Sequence, residues 1–224
     1  MNDHDRQLIR DMKAYYTARV PWHEQYMSYG SEKNLETTRA PIIAAIEPYV
    51  KGKRILDIAC GTGNYTQVFA RRARSILAID GLPEPLEVAR SKEYEGEISF
   101  RVHDAYRLDD LDETFEVVLA THWLSHVPYG LMDEFLAAVV RRLEPGGVLV
   151  SLDLSDTPDF QDGAYTDDDG NRLNDRTLPD GNTYPVVKNF PTEAELRRHF
   201  APHFADVSYQ EFTDLKDWLV VGSL

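Results

Sequence analysis

Residues 53–66 read Lys-Arg-Ile-Leu-Asp-Ile-Ala-Cys-Gly-Thr-Gly-Asn-Tyr-Thr. An apolar run (Ile55, Leu56, Ile58) enters a turn of small residues from Ala59 to Gly63, and a helix-like stretch holding Val68, Phe69 and Ala70 follows. Small side chains let a backbone approach a ligand, and a helix start presents free N–H groups and a partial positive charge. A second strand, Ser75 to Ile79, ends in Asp80. A carboxylate at the tip of the second strand is placed to accept both hydroxyls of a ribose. The stretch therefore predicts a nucleoside-containing cofactor.

Dinucleotide folds use G-x-G-x-x-G, whose third glycine lets the helix pack close to the strand and face a pyrophosphate. Counted from Gly61, the pattern here is G-x-G-x-x-T, without the third glycine. Asp57, at the end of the first strand, would repel a pyrophosphate and suit a ligand bearing an ammonium. The D-x-A-x-G-x-G turn resembles the first motif of class I S-adenosylmethionine-dependent methyltransferases. Ala59 stands where that family usually has glycine, a minor departure to another small residue.

The resemblance extends over roughly residues 50–155. Asp80 matches the family's ribose-binding acid, with Gly81 and Leu82 beside it. His103-Asp104-Ala105 follows a third strand at 98–102, and Asp104 matches the acid that takes the adenine amino group. Phe115-Glu-Val-Val-Leu-Ala-Thr resembles the fourth strand, and Leu143-Glu-Pro-Gly-Gly-Val-Leu-Val the family's helix stop and fifth strand. Four landmarks in order are far more specific than one glycine-rich turn. The resemblance implies S-adenosyl-L-methionine as cofactor, S-adenosyl-L-homocysteine as product, and cofactor contacts at Asp57, Ala59, Gly61, Thr62, Gly63, Asp80, Gly81, Leu82, Asp104, Ala105 and Thr121.

Strands and helices alternate through the middle of the chain. Strands are expected at 53–58, 75–79, 97–102, 115–120 and 148–153, and helices at 64–73, 83–93 and 131–143. Pro145-Gly146-Gly147 is expected to stop the last helix. Such alternation argues an α/β fold, doubly wound and mostly parallel, with ligands bound beyond the carboxyl ends of the strands. Asp57, Asp80, Asp104 and Thr121 all fall at such ends. Val207–Phe212 and Asp217–Gly222 read as a closing antiparallel hairpin, and the resemblance implies a seven-stranded, Rossmann-like sheet. Thr192 with Glu195 forms a capping box for a helix over 192–200. Residues 1–50 read as a helical N-terminal lid or substrate segment, and 51–224 as the cofactor-binding domain. Residues 154–187, polar and with Pro158, Pro179 and Pro185, break the rhythm as an insertion.

The chain has 224 residues, 42% of them hydrophobic, which suits one α/β domain with an appended lid. Its 38 acids against 24 bases give a net charge of −14. Nucleic acid and anionic membranes are thereby disfavoured as partners, and a cationic ligand such as a sulfonium is favoured. The single cysteine, Cys60, precludes an internal disulfide and, lying in the turn, reads as a packing residue rather than a nucleophile. The polar N-terminus and the lack of an apolar run of ~20 residues point to a cytoplasmic protein.

The candidates for acid–base chemistry are His122 and His126, in Thr121-His-Trp-Leu-Ser-His-Val-Pro after strand four, where the family places residues near the transferred methyl. His126 is the preferred base. A zinc site is not expected, because Trp123 stands where the H-E-x-x-H pattern needs Glu and no third ligand is evident. Asp167-Asp168-Asp169-Gly170 does not make a calcium loop either, since Tyr165 and Arg176 would occupy its first and twelfth positions.

Tyr15, Tyr16, Arg19, Trp22 and Tyr26 resemble the leading segment of many small-molecule methyltransferases. Tyr16 and Arg19 are placed by that likeness at the cofactor's methionine end, and Tyr15, Trp22 and Tyr26 over the substrate. The same stripe suits plain core packing. Arg176, Tyr184 and Lys188 lie where the family inserts substrate-recognition elements, although a surface hairpin on Asp180-Gly181 fits the stretch equally. The resulting expectation is methyl transfer to N or O of a small molecule, leaning to N because an acidic chain tolerates an amine. The alternatives are a peptide or protein N-terminal methyltransferase and a non-catalytic cofactor-binding subunit.

Overall fold

The first strand, β1 (Arg54–Ile58), is buried on both faces, and its side chains alternate between two cores. Leu56 and Ile58 point to one side of the sheet and Ile55 to the other, as expected for a parallel strand covered by helices on both sides. The computed structural model describes residues 2–22 and 32–224. In chain order its helices are α1 (Asp3–Arg19), α2 (Glu32–Thr38), α3 (Ala40–Val50), α4 (Asn64–Ala70), α5 (Pro83–Arg90), α6 (Tyr129–Arg142) and α7 (Glu193–Phe200). The further strands of the main sheet are β2 (Ser75–Asp80), β3 (Ile98–Val102), β4 (Phe115–Thr121), β5 (Leu143–Leu154), β9 (Asp206–Phe212) and β10 (Asp217–Ser223). The sheet runs in the order β3-β2-β1-β4-β5-β10-β9. The first five strands are parallel, and β10 is antiparallel to both neighbours. The fold is thus α/β with a seven-stranded, mostly parallel, Rossmann-like sheet. Its strand order turns between β1 and β4, which is where open sheets of this type form their ligand crevice.

Helices α1, α6 and α7 cover one face, with Leu8, Met12, Phe135, Leu136 and Phe200 buried against Leu56, Val118 and Val220. Helices α3 and α4 cover the other, with Ile42, Ile46, Val68 and Phe69 against Ile55, Val117 and Leu219. The capping box at Thr192 forms as expected, with both of its reciprocal hydrogen bonds. Among the described residues no helix is long and apolar enough to cross a membrane.

One expectation changes. Helix α6 ends at Arg142, before Pro145-Gly146-Gly147, so these residues do not stop a helix. They form a bulge inside β5, where pairing jumps from Phe115↔Leu143 to Val117↔Val148. Gly146 takes φ +74° there, and a Cβ on Gly147 would lie 2.8 Å from the Glu144 carbonyl. The insertion at 154–187 carries its own secondary structure. It contains β6 (Ala164–Thr166), β7 (Arg172–Thr177) and β8 (Thr183–Val187), a separate three-stranded antiparallel sheet. Hairpin β7–β8 turns through Asp180-Gly181, with Gly181 at φ +86°. Leu173, Val186 and Val187 are buried in the same core as α1, so the second sheet and the first helix pack together.

Candidate active site

A cavity of about 480 Å³ follows the carboxyl ends of the main strands from β3 across to β5, a size typical of small-molecule sites. Its floor is the turn from Ala59 to Thr62. The backbone curls there through Ala59 at φ 52° and Gly61 at φ +57°. A Cβ on Gly61 would meet nothing within 4 Å, so the missing side chain leaves open cradle. Gly63, at φ +76°, lies just behind the cavity wall, and a Cβ there would lie 2.5 Å from the Tyr94 hydroxyl oxygen. The missing side chain of Gly63 therefore serves the close packing of α4 against Tyr94 and Ala89. His122, at the end of β4, also has a positive φ of 54°. Left-handed backbone at two non-glycine residues costs of order 1–2 kcal/mol each, and both strained residues flank the cavity.

Asp80 accepts the Gly61 N–H at 2.9 Å through one oxygen and the Leu82 N–H at 2.9 Å through the other. It clamps the small-residue turn to the loop after β2 while lining the cavity. Burial raises its pKa, against the lowering effect of the two N–H donors. Leu82, Pro85 and Ala105 add apolar lining to the part of the cavity that holds Asp80 and Asp104. Asp104 accepts the Tyr106 N–H at 3.0 Å, and its other oxygen holds the Lys13 ammonium of α1 at 2.7 Å. Among the sequence candidates, Gly81 and Thr121 also line the cavity.

Asp57 is a correction. It is only 1% exposed, accepts the Thr66 hydroxyl at 2.5 Å, and does not reach the cavity wall. Burial raises its pKa to about 7. Its role is to fasten the start of α4 beneath the turn, because a strand-end residue facing the helix side is covered by that helix. Burial also raises the Cys60 thiol well above its ordinary value, so this cavity-lining cysteine stays protonated and acts by its small size.

At the β4–β5 end, Tyr16, Arg19, His122, His126 and Arg176 line the cavity together. Tyr15 does too, whereas Tyr184 packs behind it with ring centroids 6.0 Å apart, and Trp22 packs on the core without lining the cavity. Tyr26 lies outside the described residues. The His126 Nδ1–H donates to the Val187 carbonyl at 2.7 Å, which leaves Nε2 to accept the Tyr16 hydroxyl at 2.9 Å. Burial, aided by the Lys188 ammonium, lowers the His126 pKa to about 3, and burial raises the Tyr16 phenol. The ring is neutral at physiological pH. Arg19 lies over the rings of Tyr15 and Tyr16, 5.7 and 5.2 Å from their centroids.

The neutral ring gives a signed pH effect. The folded pKa lies below the unfolded value of 6.5, so the contribution of His126 to stability is complete above that value and declines as the pH falls toward 3. On going from pH 7.5 to 5.0 the wild type should lose about 2 kcal/mol more stability than His126→Gln, measured by urea denaturation. Equal losses would contradict the buried, neutral ring.

Beneath this end lies a polar cluster of which only Lys188 stood out in the sequence. Asp153, fully buried at the end of β5, accepts the Ser125 N–H at 2.9 Å and the Leu154 N–H at 2.8 Å. It also receives the Lys188 ammonium at 3.2 Å. Lys188 in turn donates to the Ser125 hydroxyl at 2.6 Å. Burial opposes ionisation of Asp153, but Lys188 and His122 outweigh it and hold the carboxyl well below the usual range. Its one sequence signal was an acid closing the apolar run of β5. Lys13, Tyr65, Tyr106 and Trp123 complete the wall. Of these, Lys13 was legible as a neighbour of Ile9, Met12 and Tyr16 on one face of α1.

The family profile described as "Methyltransferase domain" matches residues 55–147. The ubiquinone biosynthesis O-methyltransferase of Alkalilimnicola ehrlichii is 28% identical over 160 residues, covering 70% of this chain and 62% of that protein. The mitochondrial ubiquinone biosynthesis O-methyltransferase of Schizosaccharomyces pombe is 32% identical over 111 residues, covering 47% and 39%. The chain thus spans between about two fifths and three fifths of these relatives' length. The solved DhpI-SAM-HEP complex superposes over 99% of both chains with a TM-score of 0.78 and 25% identity. The DhpI-SAH complex matches with a TM-score of 0.74 over 98% of this chain and 97% of the other. The motif order of the sequence, the strand order of the sheet and these likenesses agree: the chain belongs to the class I S-adenosylmethionine-dependent methyltransferases.

Proposed function

We propose that this protein transfers a methyl group from S-adenosylmethionine to an oxygen of a small-molecule acceptor. The observation that carries the reading is one continuous cavity with strand-tip carboxylates at one end and the Tyr16–His126 pair at the other. The oxygen is favoured over the nitrogen suggested by net charge because the named relatives are O-methyltransferases. The acceptor is read as small because α1 walls a cavity of about 480 Å³, a size typical of small-molecule sites. Of the expected lid over residues 1–50, helix α1 fills the role by walling the cavity, while α3 packs in the opposite core of the sheet, and 51–224 act as the catalytic unit.

When bound, S-adenosylmethionine supplies a methyl carbon already activated by positive sulfur. Asp80 is positioned for the ribose hydroxyls, Asp104 for the adenine amino group, and the Gly61 cradle for the methionine chain that leaves the ribose. Arg19 serves the cofactor's carboxylate, and the faces of Tyr16 and Tyr65 favour the cation. The protein's main work is alignment and exclusion of water, which is worth up to ~7–11 kcal/mol. The Tyr16 hydroxyl, held by a neutral His126, orients the acceptor oxygen. It offers a short path for a proton to pass through the phenol oxygen to Nε2.

Calorimetry tests the reading. S-adenosylmethionine and S-adenosylhomocysteine should bind with micromolar affinity, ~8 kcal/mol at 1 μM, and NADH should not bind. Binding of NADH alone would refute it.

A further inference from the structure

We infer that the acceptor carries an oxyanionic group, a carboxylate or phosphoryl group, bound by the Arg176 guanidinium at the β4–β5 end of the cavity. This names the substrate class of the methyltransferase reading and rests on it.

The charged side chains along the cavity are segregated. Both acids, Asp80 and Asp104, lie at the β2–β3 end, while Arg19, Arg176 and Lys188 lie at the other. Two of the cavity's cations are matched within the protein. Lys13 pairs with Asp104 at 2.7 Å, and Lys188 with Asp153 at 3.2 Å. Arg19 lies against the Tyr15 and Tyr16 rings, next to the position read for the cofactor's carboxylate.

Arg176 differs from all of these. It stands on β7, half-buried in the cavity wall, and makes no ion pair or hydrogen bond through its side chain among the described residues. It lines the same cavity as the Tyr16–His126 pair. Acids are plentiful in this chain, at 38 against 24 bases. The neighbouring Asp175 is turned to the Tyr165 hydroxyl instead, at 3.2 Å. A guanidinium drawn partly out of water without a counter-charge is costly, and its planar fork matches the two oxygens of a carboxylate or phosphoryl group. An acceptor anion supplies the missing charge. Phe160 and Val186, on the same part of the wall, leave an apolar face for its carbon body.

The test titrates the protein saturated with S-adenosylhomocysteine against benzoate and phenylphosphonate, and against the neutral analogues benzamide and benzyl alcohol. At least one oxyanion should bind about tenfold or more tightly than its neutral counterpart. Whichever of the two binds better identifies the oxyanion as carboxylate or phosphoryl. Arg176→Gln should abolish that preference and Arg176→Lys should keep part of it, with S-adenosylhomocysteine affinity within about threefold of wild type as proof of folding. An unchanged preference in Arg176→Gln, or no preference in the wild type, overturns the inference while leaving the methyltransferase reading intact. Failure of the wild type to bind S-adenosylhomocysteine at all would overturn both.

Discussion

Lys188→Met should destabilise the protein by about 3–5 kcal/mol, the usual cost of stranding one partner of a buried ion pair. For a chain of this length that corresponds to a fall of roughly 10 °C in melting temperature. The magnitude follows from burial: Lys188 is 8% exposed and Asp153 is 0% exposed, so water cannot replace the lost ammonium. The two backbone N–H donors to Asp153 remain, which keeps the loss from being larger.

The sign of the pH dependence separates this account from a simple packing defect. In the wild type the folded pKa of Asp153 lies below the unfolded 3.8, so the pair's contribution is present above that pH and is lost in acid. In the variant, burial without Lys188 pushes the folded pKa above the unfolded one, and protonation relieves the penalty. The gap between wild type and variant should therefore narrow from pH 7.5 to pH 4.5 in urea denaturation. A gap that is constant with pH would assign the loss to packing alone.

Asp80→Ala should weaken S-adenosylhomocysteine binding by about a hundredfold. Hydrogen bonds to a charged acceptor are each worth ~1.5–3 kcal/mol, and the ribose offers two hydroxyls. The substitution also unties Gly61 from Leu82, so part of the loss is disorder of the cradle. Asp80→Asn keeps one acceptor oxygen and should fall between the two. Calorimetry showing wild-type affinity in Asp80→Ala would remove this carboxylate from the site.

Much of this molecule is legible in its sequence because the signals are local. Strand β1, the small-residue turn and Asp80 follow one another within a single βαβ unit, so their order in the chain is nearly their order in space. The capping box at Thr192 and the hairpin at Asp180-Gly181 are equally short-range. What escaped the reading depends on contacts between distant segments. Asp57 looked like a ligand contact, but only the packing of α4 decides that it faces Thr66. Lys188 looked like a substrate residue, and Asp153 looked like the unremarked end of a strand. Their pairing is set by a second sheet that no periodicity predicted, since its strands are only three to six residues long.

The Tyr16–His126 hydrogen bond joins residues 110 positions apart, and His4 reaches Asp167 across 163. The acceptor end of the cavity therefore depends on a pairing that ties a long stretch of intervening chain, whereas the Gly61–Asp80 contact of the cofactor cradle joins residues 19 apart. Long-range closure must offset more chain entropy before it is rewarded. In refolding, the ability to bind the nucleoside half should accordingly be recovered ahead of the ability to enclose an acceptor.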